Sequence, residues 1–588
     1  MLMEPEVPAA ELRNALVQAF KAGDFLQTVY KNTLADRDER NTLAAELASL
    51  HNAGEIDIVA GFSALGKGDS SGGPDFFLTR YVFEKALPDI NAPVLAVMQC
   101  VLDLYRRAGR DMMAGGIINA FVSFCEKDAS RPKEVLEAIR NDSAFLDLLA
   151  GTLIAGARID NSHFVGEVVG LASHSDVETR RRAIFALSKI DWPVGSVPPE
   201  SVYATLEHAA QTETDDELLA CVVRTAFSLF QRDMAQETRV LTMMGVALSR
   251  GGDATIHGAS DVAFYQTKDL TDDAIELLVP YLVRVNPANK GTLDNIDYFL
   301  AHLLKGGKPE KAVEIAEKLL LAHSDSLSLT VLDSFMGDVL QDKALLSRVT
   351  TRWFLTGEPA LCEAIHTMLG RVFGAEVTIE IDQAQLTPAT GTRLVFVARK
   401  ALGYLFLNPV TAASIIVSLM RCTDDERILT ELGNHLFDPL LVNYSGKARE
   451  YVAQVASTAS GKMKDQLERP LKLLETYLEG LRSVGDLPEL NPSVAQREAH
   501  HRRSARQMAE SMKQAEAKSV FLSIIKKSVL LYGRKSINYV YGPNGQSQRT
   551  EMPLHSHSIQ FEMPRYEQLD PFGLEYSIRV FRAERLRK

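Results

Sequence analysis

The sequence predicts a mainly α protein: an irregular α-solenoid of helical hairpins, followed by a small α+β C-terminal module with a three-stranded antiparallel sheet. Three observations lead to this fold class. Apolar residues recur with helical spacing along most of the 588 residues, which are too many for one compact core. A sequence pattern recurs after about 40 residues. The character of the chain then changes after a break at 485–492 that contains two prolines.

The composition is that of a folded, soluble protein, but its charge is unevenly distributed. Hydrophobic residues make up 46% and charged residues 24% of the chain, which excludes global disorder and fibrous classes. The net charge is −12, yet residues 497–588 carry 17 Lys and Arg against 9 Asp and Glu. The acidic body argues against wholesale coating of nucleic acid, whereas the basic end leaves that function open for the last 92 residues.

Cysteine usage and hydropathy indicate the compartment. The five cysteines form no CxxC pair, and they stand in apolar segments, which is typical of a reducing cytoplasm. Residues 1–8 are acidic and lack the features of a signal peptide. The apolar stretch 394–420 is interrupted by Arg399–Lys400 and Asn408–Pro409, which favours two buried helices over a membrane span. We therefore expect a cytoplasmic protein with no membrane contact.

Residues 1–160 form the first predicted region, a helical one with a Gly/Ser-rich loop at 61–75. Gly61–Gly68 differs by one residue from a phosphate-binding P-loop, but Gly68 stands where Mg²⁺ coordination requires Ser or Thr. The segment 68–74 resembles the nucleophile loop of trypsin-like proteases with one serine inserted. A helical setting supplies neither the histidine base nor the oxyanion amides of that chemistry. We interpret the loop as a flexible connector and assign no catalytic or cofactor-binding residue.

Residues 161–484 form the predicted α-solenoid. Three capping boxes predict helix starts: Ser175-x-x-Glu178, Thr214-x-x-Glu217 and Thr423-x-x-Glu426. The first two begin 39 residues apart, and further matches such as Asp176 with Asp216 occur at an offset of 40. This period is typical of stacked helical repeats, which cannot bury their apolar faces alone. A non-repetitive helical bundle is the alternative.

The segment Asp176–Leu187 resembles the second half of a HEAT repeat, and the resemblance extends over roughly residues 165–235. A helix beginning near Gly307 is instead similar to one from a TPR-type hairpin. In HEAT repeats an acid caps the inner helix and a basic residue points along the stack. The resemblance implies that Arg180 and Arg181, on a concave face, are candidate contacts for a partner or for nucleic acid.

Two breaks in the helical pattern follow. Val377–Ile381 alternates strictly between apolar and polar residues, which predicts either a short strand or an extended insertion. Residues 485–496 are predicted to be a linker, because Pro488 and Pro492 stop the helical rhythm.

Residues 497–588 form the predicted C-terminal module, for which no family is recognised. A long basic helix is predicted from Arg497 to Leu531. Alternating runs at 537–541, 555–563 and 574–580 predict the three strands, with Asn544–Gly545 in the first turn. His555 and His557 would share one strand face, but no third ligand is visible, so we assign no metal.

A cationic stripe is the main chemical feature of this module. Its members are Arg502, Arg503, Arg506, Lys513, Lys518, Lys526, Lys527, Arg534 and Lys535. Such a stripe neutralises phosphates, docks on an acidic surface of a partner or a second copy, or is simply solvated. The sequence thus favours a non-enzymatic scaffold or adaptor that binds partner proteins in a multi-protein cytosolic complex. The alternative is a nucleic-acid-binding subunit that uses the basic module, with catalysis supplied by a partner.

Overall fold

The computed structural model describes eleven stretches of the chain. They are residues 9–35, 42–68, 75–109, 111–192, 197–371, 377–485, 493–519, 525–531, 535–541, 547–553 and 562–586. Tertiary contacts divide the chain into two compact units, Met1–Leu327 (unit 1) and Ser328–Lys588 (unit 2). The domain boundaries drawn from the sequence stay predictions.

Unit 1 is built from helices joined by short connections. Its α-helices are α1 Ala9–Ala22, α2 Phe25–Ala35, α3 Thr42–Asn52, α4 Ile58–Lys67, α5 Phe76–Ala86, α6 Val94–Ala108, α7 Gly116–Glu126, α8 Arg131–Asn141, α9 Leu149–Ile159, α10 Asn161–Leu171, α11 Val177–Leu187, α12 Glu200–Thr212, α13 Asp216–Phe230, α14 Glu237–Arg250, α15 Asp253–Tyr265, α16 Asp272–Leu282, α17 Lys290–Lys305 and α18 Pro309–Ala322. Short 3₁₀ helices lie at Leu87–Asp89, Met112–Gly115, Ser143–Leu148, Met234–Gln236 and Thr267–Asp269.

The helices of unit 1 stack in two layers. In one layer α7, α9, α11, α13, α15 and α17 each pack on the next, and in the other α10, α12, α14 and α16 do the same. Apolar side chains such as Phe164, Phe227 and Phe230 are almost completely buried in this unit. Each helix therefore buries one apolar face against neighbours one repeat away. The prediction of a mainly helical, repeat-like protein is confirmed.

The helix starts lie slightly later than the capping boxes predicted. The N-cap residues are Asp176, Asp215 and Asp425, not Ser175, Thr214 and Thr423. Each carboxylate accepts a hydrogen bond from a backbone N–H of the first turn. A charged acceptor also benefits from the positive end of the helix dipole, so an aspartate next to a hydroxyl residue takes the cap.

The glycines of the P-loop-like motif lie inside a helix. Gly61 and Gly66 belong to α4, which packs against α6. A Cβ at Gly66 would lie 2.7 Å from the Cβ of Asp103 on α6. Gly66 therefore allows α4 and α6 to pack closely. Residues 69–74 of the protease-like loop lie outside the described residues.

Unit 2 continues with helices and adds three strands. Its elements are α19 Asp333–Gln341, α20 Lys343–Thr356, α21 Pro359–Leu369, α22 Gly391–Leu405, α23 Pro409–Met420, α24 Glu426–His435, α25 Lys447–Thr458, α26 Gly461–Val484, α27 Val494–Lys518, β1 Ile525–Leu531, β2 Lys535–Tyr541, β3 Ser547–Pro553, α28 Tyr566–Leu569 and α29 Pro571–Ala583. A 3₁₀ turn lies at Leu329–Val331 and a π-helical segment at Leu436–Leu441. β2 pairs antiparallel with β1 and with β3.

The segment 377–382 is extended and is held by serines of α23. The backbone N–H groups of Ile379 and Ile381 donate to the hydroxyls of Ser414 and Ser418, each at 2.9 Å. Both isoleucines are buried. The alternating pattern thus marks an extended segment whose backbone donors are satisfied by side chains instead of a neighbouring strand.

The predicted C-terminal module is wrong, because the structure assigns its helix and strands to other residues: of the predicted strands, only 537–541 is described as a strand, within β2. Residues 574–580, the third predicted strand, lie in α29, whose N-terminus is capped by Asp570 and has Pro571 in its first turn. Leu574 is buried whereas Tyr576 and Val580 are exposed, so the alternating residues follow a helical spacing. The basic helix ends at Lys518, and most of the predicted strand 555–563, with His555 and His557, falls outside the described residues.

Among the described residues, no helix is both long enough and apolar enough to cross a lipid bilayer.

Candidate binding groove and basic helix

Arginines of unit 1 pair with carboxylates one repeat away. Arg180 Nε lies 2.7 Å from Glu213, and Arg224 Nη2 lies 2.7 Å from Asp261. Arg158 contacts Asp191 at 2.9 Å. The partners are separated by 33 to 37 residues, about one helical hairpin. Most of these cations therefore hold the repeats together and are not free for a ligand.

Arg180, a predicted site residue, is one of these structural cations. Its Nε and Nη2 atoms donate to the two carboxylate oxygens of Glu213, and its Nη1 atom donates to the carbonyls of His174 and Ser175. The side chain is only 20% exposed. The hydrogen bond to Glu213 raises the pKa of Arg180 above its ordinary value. Bidentate pairing uses the planar guanidinium fully, so little of it remains for a partner.

Arg181 and the adjacent Arg182 line a groove. Arg181 contacts Glu178 and Glu217, while Arg182 contacts Asp147. Both side chains are between a quarter and a third exposed, so they combine structural pairing with access to a ligand. Arg180 and Arg181, which the sequence grouped together, therefore differ: Arg180 is a structural cation, whereas Arg181 also lines the groove.

The groove lies across α7, α9, α11 and α13 and has a volume of about 830 Å³. Its floor is apolar and contains Ile118, Val122, Ile154 and Phe185. Gly151 on α9 deepens it, because a Cβ there would lie 3.2 Å from Val122. Phe185 is 40% exposed, so its ring is accessible to the side chain of a ligand. A volume of this size falls in the range of ligand-binding clefts.

The rim of the groove is cationic, although unit 1 as a whole is acidic. The rim carries Arg158, Arg181, Arg182, Lys189 and Arg232 against Asp147 and Asp191. Residues 1–327, in contrast, contain 31 Lys and Arg and 47 Asp and Glu. Lys189 and Arg232 are exposed and form no ion pair within the described part of the chain. The other three arginines are paired with carboxylates, so the groove has two uncommitted cations, Lys189 and Arg232.

The second candidate surface is α27, which carries the predicted cationic stripe. Every side chain that the structure describes in this helix is exposed. Arg502 contacts Glu498 within the helix at 3.5 Å. In the described residues Arg503, Arg506 and Lys513 form no ion pair. Of the other stripe members, Lys518 ends α27, Lys526 and Lys527 lie in β1, Lys535 begins β2, and Arg534 falls outside the described residues.

Sequence reasoning missed Phe185, Lys189 and Arg232. They are distant in sequence from most other groove residues, and the stack of helices brings them together. One signal was available, because Arg158, Lys189 and Arg232 stand at or just after the ends of α9, α11 and α13. A cation that recurs at the same end of successive helices indicates one row on the folded surface.

Metal ligands and thiols are the other groups to consider in the described residues. No group of three His, Cys, Asp or Glu among them is arranged to hold a metal ion. Burial raises the pKa of the Cys100, Cys125 and Cys362 thiols to about 12, and it also raises the pKa of Cys221 beside the groove. These thiols are therefore poor nucleophiles.

No protein-family model matches the chain, and no curated protein shows significant sequence similarity to it.

Proposed function

We propose that this chain is a non-enzymatic, HEAT-like α-solenoid scaffold that binds partner proteins within a multi-protein cytoplasmic complex. The HEAT-like part covers roughly residues 165–235. Two contacts support it: Asp176 caps α11, and Arg180 reaches along the stack to Glu213. The groove across α7, α9, α11 and α13 is the observation that carries the proposal.

The groove suits a protein ligand for two physical reasons. Its apolar floor, with Phe185 at 40% exposure, gains free energy when a ligand covers it, by about 25 cal/mol for each Å² of apolar surface buried. Its charged rim adds orientation and rejects ligands of the wrong sign. An exposed aromatic residue surrounded by arginines is also the composition of interface hot spots.

Capture of partners by tagged full-length chain tests the proposal. Phe185→Glu places a charge on the groove floor, whereas the control Leu321→Glu changes a residue of similar exposure, 43%, on α18. We expect a stoichiometric protein partner to co-purify with the wild type and with Leu321→Glu, and to be reduced about tenfold with Phe185→Glu. Recovery of the chain alone at native expression, or equal capture by all three proteins, would contradict the proposal.

Nucleic-acid binding through α27 is the second candidate function, with catalysis supplied by a partner. It is supported by the exposure of every described α27 side chain and by Arg503, Arg506 and Lys513, which have no ion pair in the described residues. Exposed cations without an ion pair neutralise phosphates and release counterions from the nucleic acid. Tyr539, which is half-buried on β2, is the first tyrosine after this helix that the structure describes.

Fluorescence anisotropy with labelled duplex and single-stranded DNA, measured over a range of salt concentrations, tests this function. The triple variant Arg502→Glu/Arg503→Glu/Arg506→Glu is predicted to flatten the dependence of log affinity on log salt by about two to three units. No binding of either DNA at low salt would rule the function out.

A further inference from the structure

We infer that the groove of unit 1 binds an acidic amphipathic segment of a partner protein; this inference rests on the proposed scaffold function and names the chemistry of its ligand. Apolar side chains of the segment would cover Phe185 and Ile154, and its carboxylates would reach Lys189 and Arg232.

The charge of the groove selects the sign of the ligand. Five cations and two carboxylates line it, and three further glutamates pair with its arginines. Lys189 and Arg232 are the groove cations that remain for a ligand. The net charge of unit 1 repels an acidic segment, whereas Lys189 and Arg232 attract it at this groove. Electrostatic complementarity of this kind directs a ligand to one place and sets its orientation.

In the described part of the chain, two of the five cations of the groove are not neutralised, whereas its three arginines on α9 and α11 each contact two carboxylates. Asp147 is shared between Arg182 and Arg106, the latter at 3.8 Å. Lys189 and Arg232 have no carboxylate partner in the described residues. Carboxylates arriving with a ligand would therefore add interactions without first breaking an existing pair.

The apolar floor distinguishes a protein segment from a nucleic acid. Ile118, Val122 and Ile154 offer a phosphate backbone nothing to bind, whereas they cover the apolar face of a helix or strand well. An amphipathic helix places residues i, i+3 and i+4 on one face, which matches an apolar floor between charged rims.

The test is selection of a random peptide library, with peptides of about 16 residues, on immobilised full-length chain. We expect the selected peptides to combine apolar residues at helical spacing with an excess of Asp and Glu. Their affinity, measured by anisotropy, is predicted to fall about tenfold with Lys189→Glu/Arg232→Glu. It is predicted to stay unchanged with the control Lys133→Glu/Lys268→Glu, which reverses two exposed lysines outside the groove.

Three outcomes would overturn the inference. Selected peptides without excess acid, or acidic peptides that bind both double variants equally, would show that this groove does not select carboxylates. Binding of a single-stranded DNA that the Lys189→Glu/Arg232→Glu variant alone abolishes would assign the groove to nucleic acid. The scaffold function fails separately, by the partner-capture experiment with Phe185→Glu.

Discussion

The arginines of α11 and those of α27 form similar clusters in the sequence, but the fold treats them differently. Arg180 is held by both oxygens of Glu213 on the next repeat and by two carbonyls. Arg502 has only Glu498 of its own helix, at 3.5 Å, and Arg503 has no ion-pair partner among the described residues. A cation is therefore available to a ligand when no neighbouring helix places a carboxylate within ion-pair distance of it.

The two tryptophans allow each unit to be followed by itself. Trp192 is buried in unit 1 and Trp353 in unit 2, and the chain contains no other tryptophan. Trp353→Phe leaves a fluorescence reporter of unit 1, and Trp192→Phe leaves one of unit 2. Urea unfolding of each unit is followed by tryptophan fluorescence in these two backgrounds.

The largest loss of stability is expected when a buried cation, Lys400, loses its hydrogen-bond acceptors. Lys400 Nζ on α22 donates to the carbonyls of Arg582 and Glu584, each at 2.7 Å, and its side chain is fully buried. Truncation after Asp570 removes both acceptors and the buried Leu574. We expect unit 2 to lose at least about 3–5 kcal/mol, because an uncompensated charge stays buried.

Truncation after Leu586 is the control for that experiment, since it leaves every one of these contacts in place. An unchanged unfolding midpoint of the chain that ends at Asp570 would show that α29 does not stabilise unit 2.

The next largest effect concerns a histidine kept neutral in unit 2. Burial, and then the charge of Arg399, lowers the pKa of His435 from 6.5 to about 4. The folded state therefore binds this proton less readily than the unfolded state. The stabilisation is complete above about pH 6.5 and is lost as the pH falls toward 4, a decrease of about 3 kcal/mol. His435→Gln should flatten this pH dependence, and an equal slope in both proteins would contradict the assignment.

A smaller effect is expected at Asp216, a carboxylate that links two repeats. Burial raises its pKa, but hydrogen bonds from the Thr255 hydroxyl and from the N–H groups of Gly252, Ala254 and Thr255 outweigh this and lower it. Asp216→Ala leaves these donors at the start of α15 unsatisfied and should destabilise unit 1 by about 2 kcal/mol. This stabilisation is present above the ordinary Asp pKa and fades as the pH falls through the lowered value.

Asp273→Ala is the matched control for Asp216→Ala, because Asp273 is an exposed acid in the first turn of α16. It should change the stability of unit 1 by less than about 0.5 kcal/mol. Equal losses of stability for the two substitutions would show that Asp216 stabilises unit 1 no more than an acid that interacts only with a helix dipole.

The smallest effect is expected at the arginines of α27. Arg502→Glu/Arg503→Glu/Arg506→Glu should change the free energy of unfolding of unit 2 by no more than about 0.5 kcal/mol, since these side chains are exposed. A larger loss would show that α27 packs through its basic face and would weaken the nucleic-acid proposal.

Much of the helical architecture follows from the sequence, because apolar periodicity and repeated caps are local signals. The start of α11 was predicted within one residue, although Asp176 and not Ser175 is the cap. The final helix was predicted as a strand, because Leu574 and Ile578 fit both an alternating and a helical spacing, and only packing against α22 decides between them. The groove could not be predicted, since Ile118 and Arg232 become neighbours only through stacking.

The most direct test of the account compares two cations of the α11 region in the Trp353→Phe background. Arg180 is paired with Glu213, whereas Lys189 is exposed and has no ion pair within the described residues. The account predicts that Arg180→Ala destabilises unit 1 by about 1–2 kcal/mol and that Lys189→Ala changes its stability by less than about 0.5 kcal/mol. Equal losses, or a larger loss for Lys189→Ala, would contradict it.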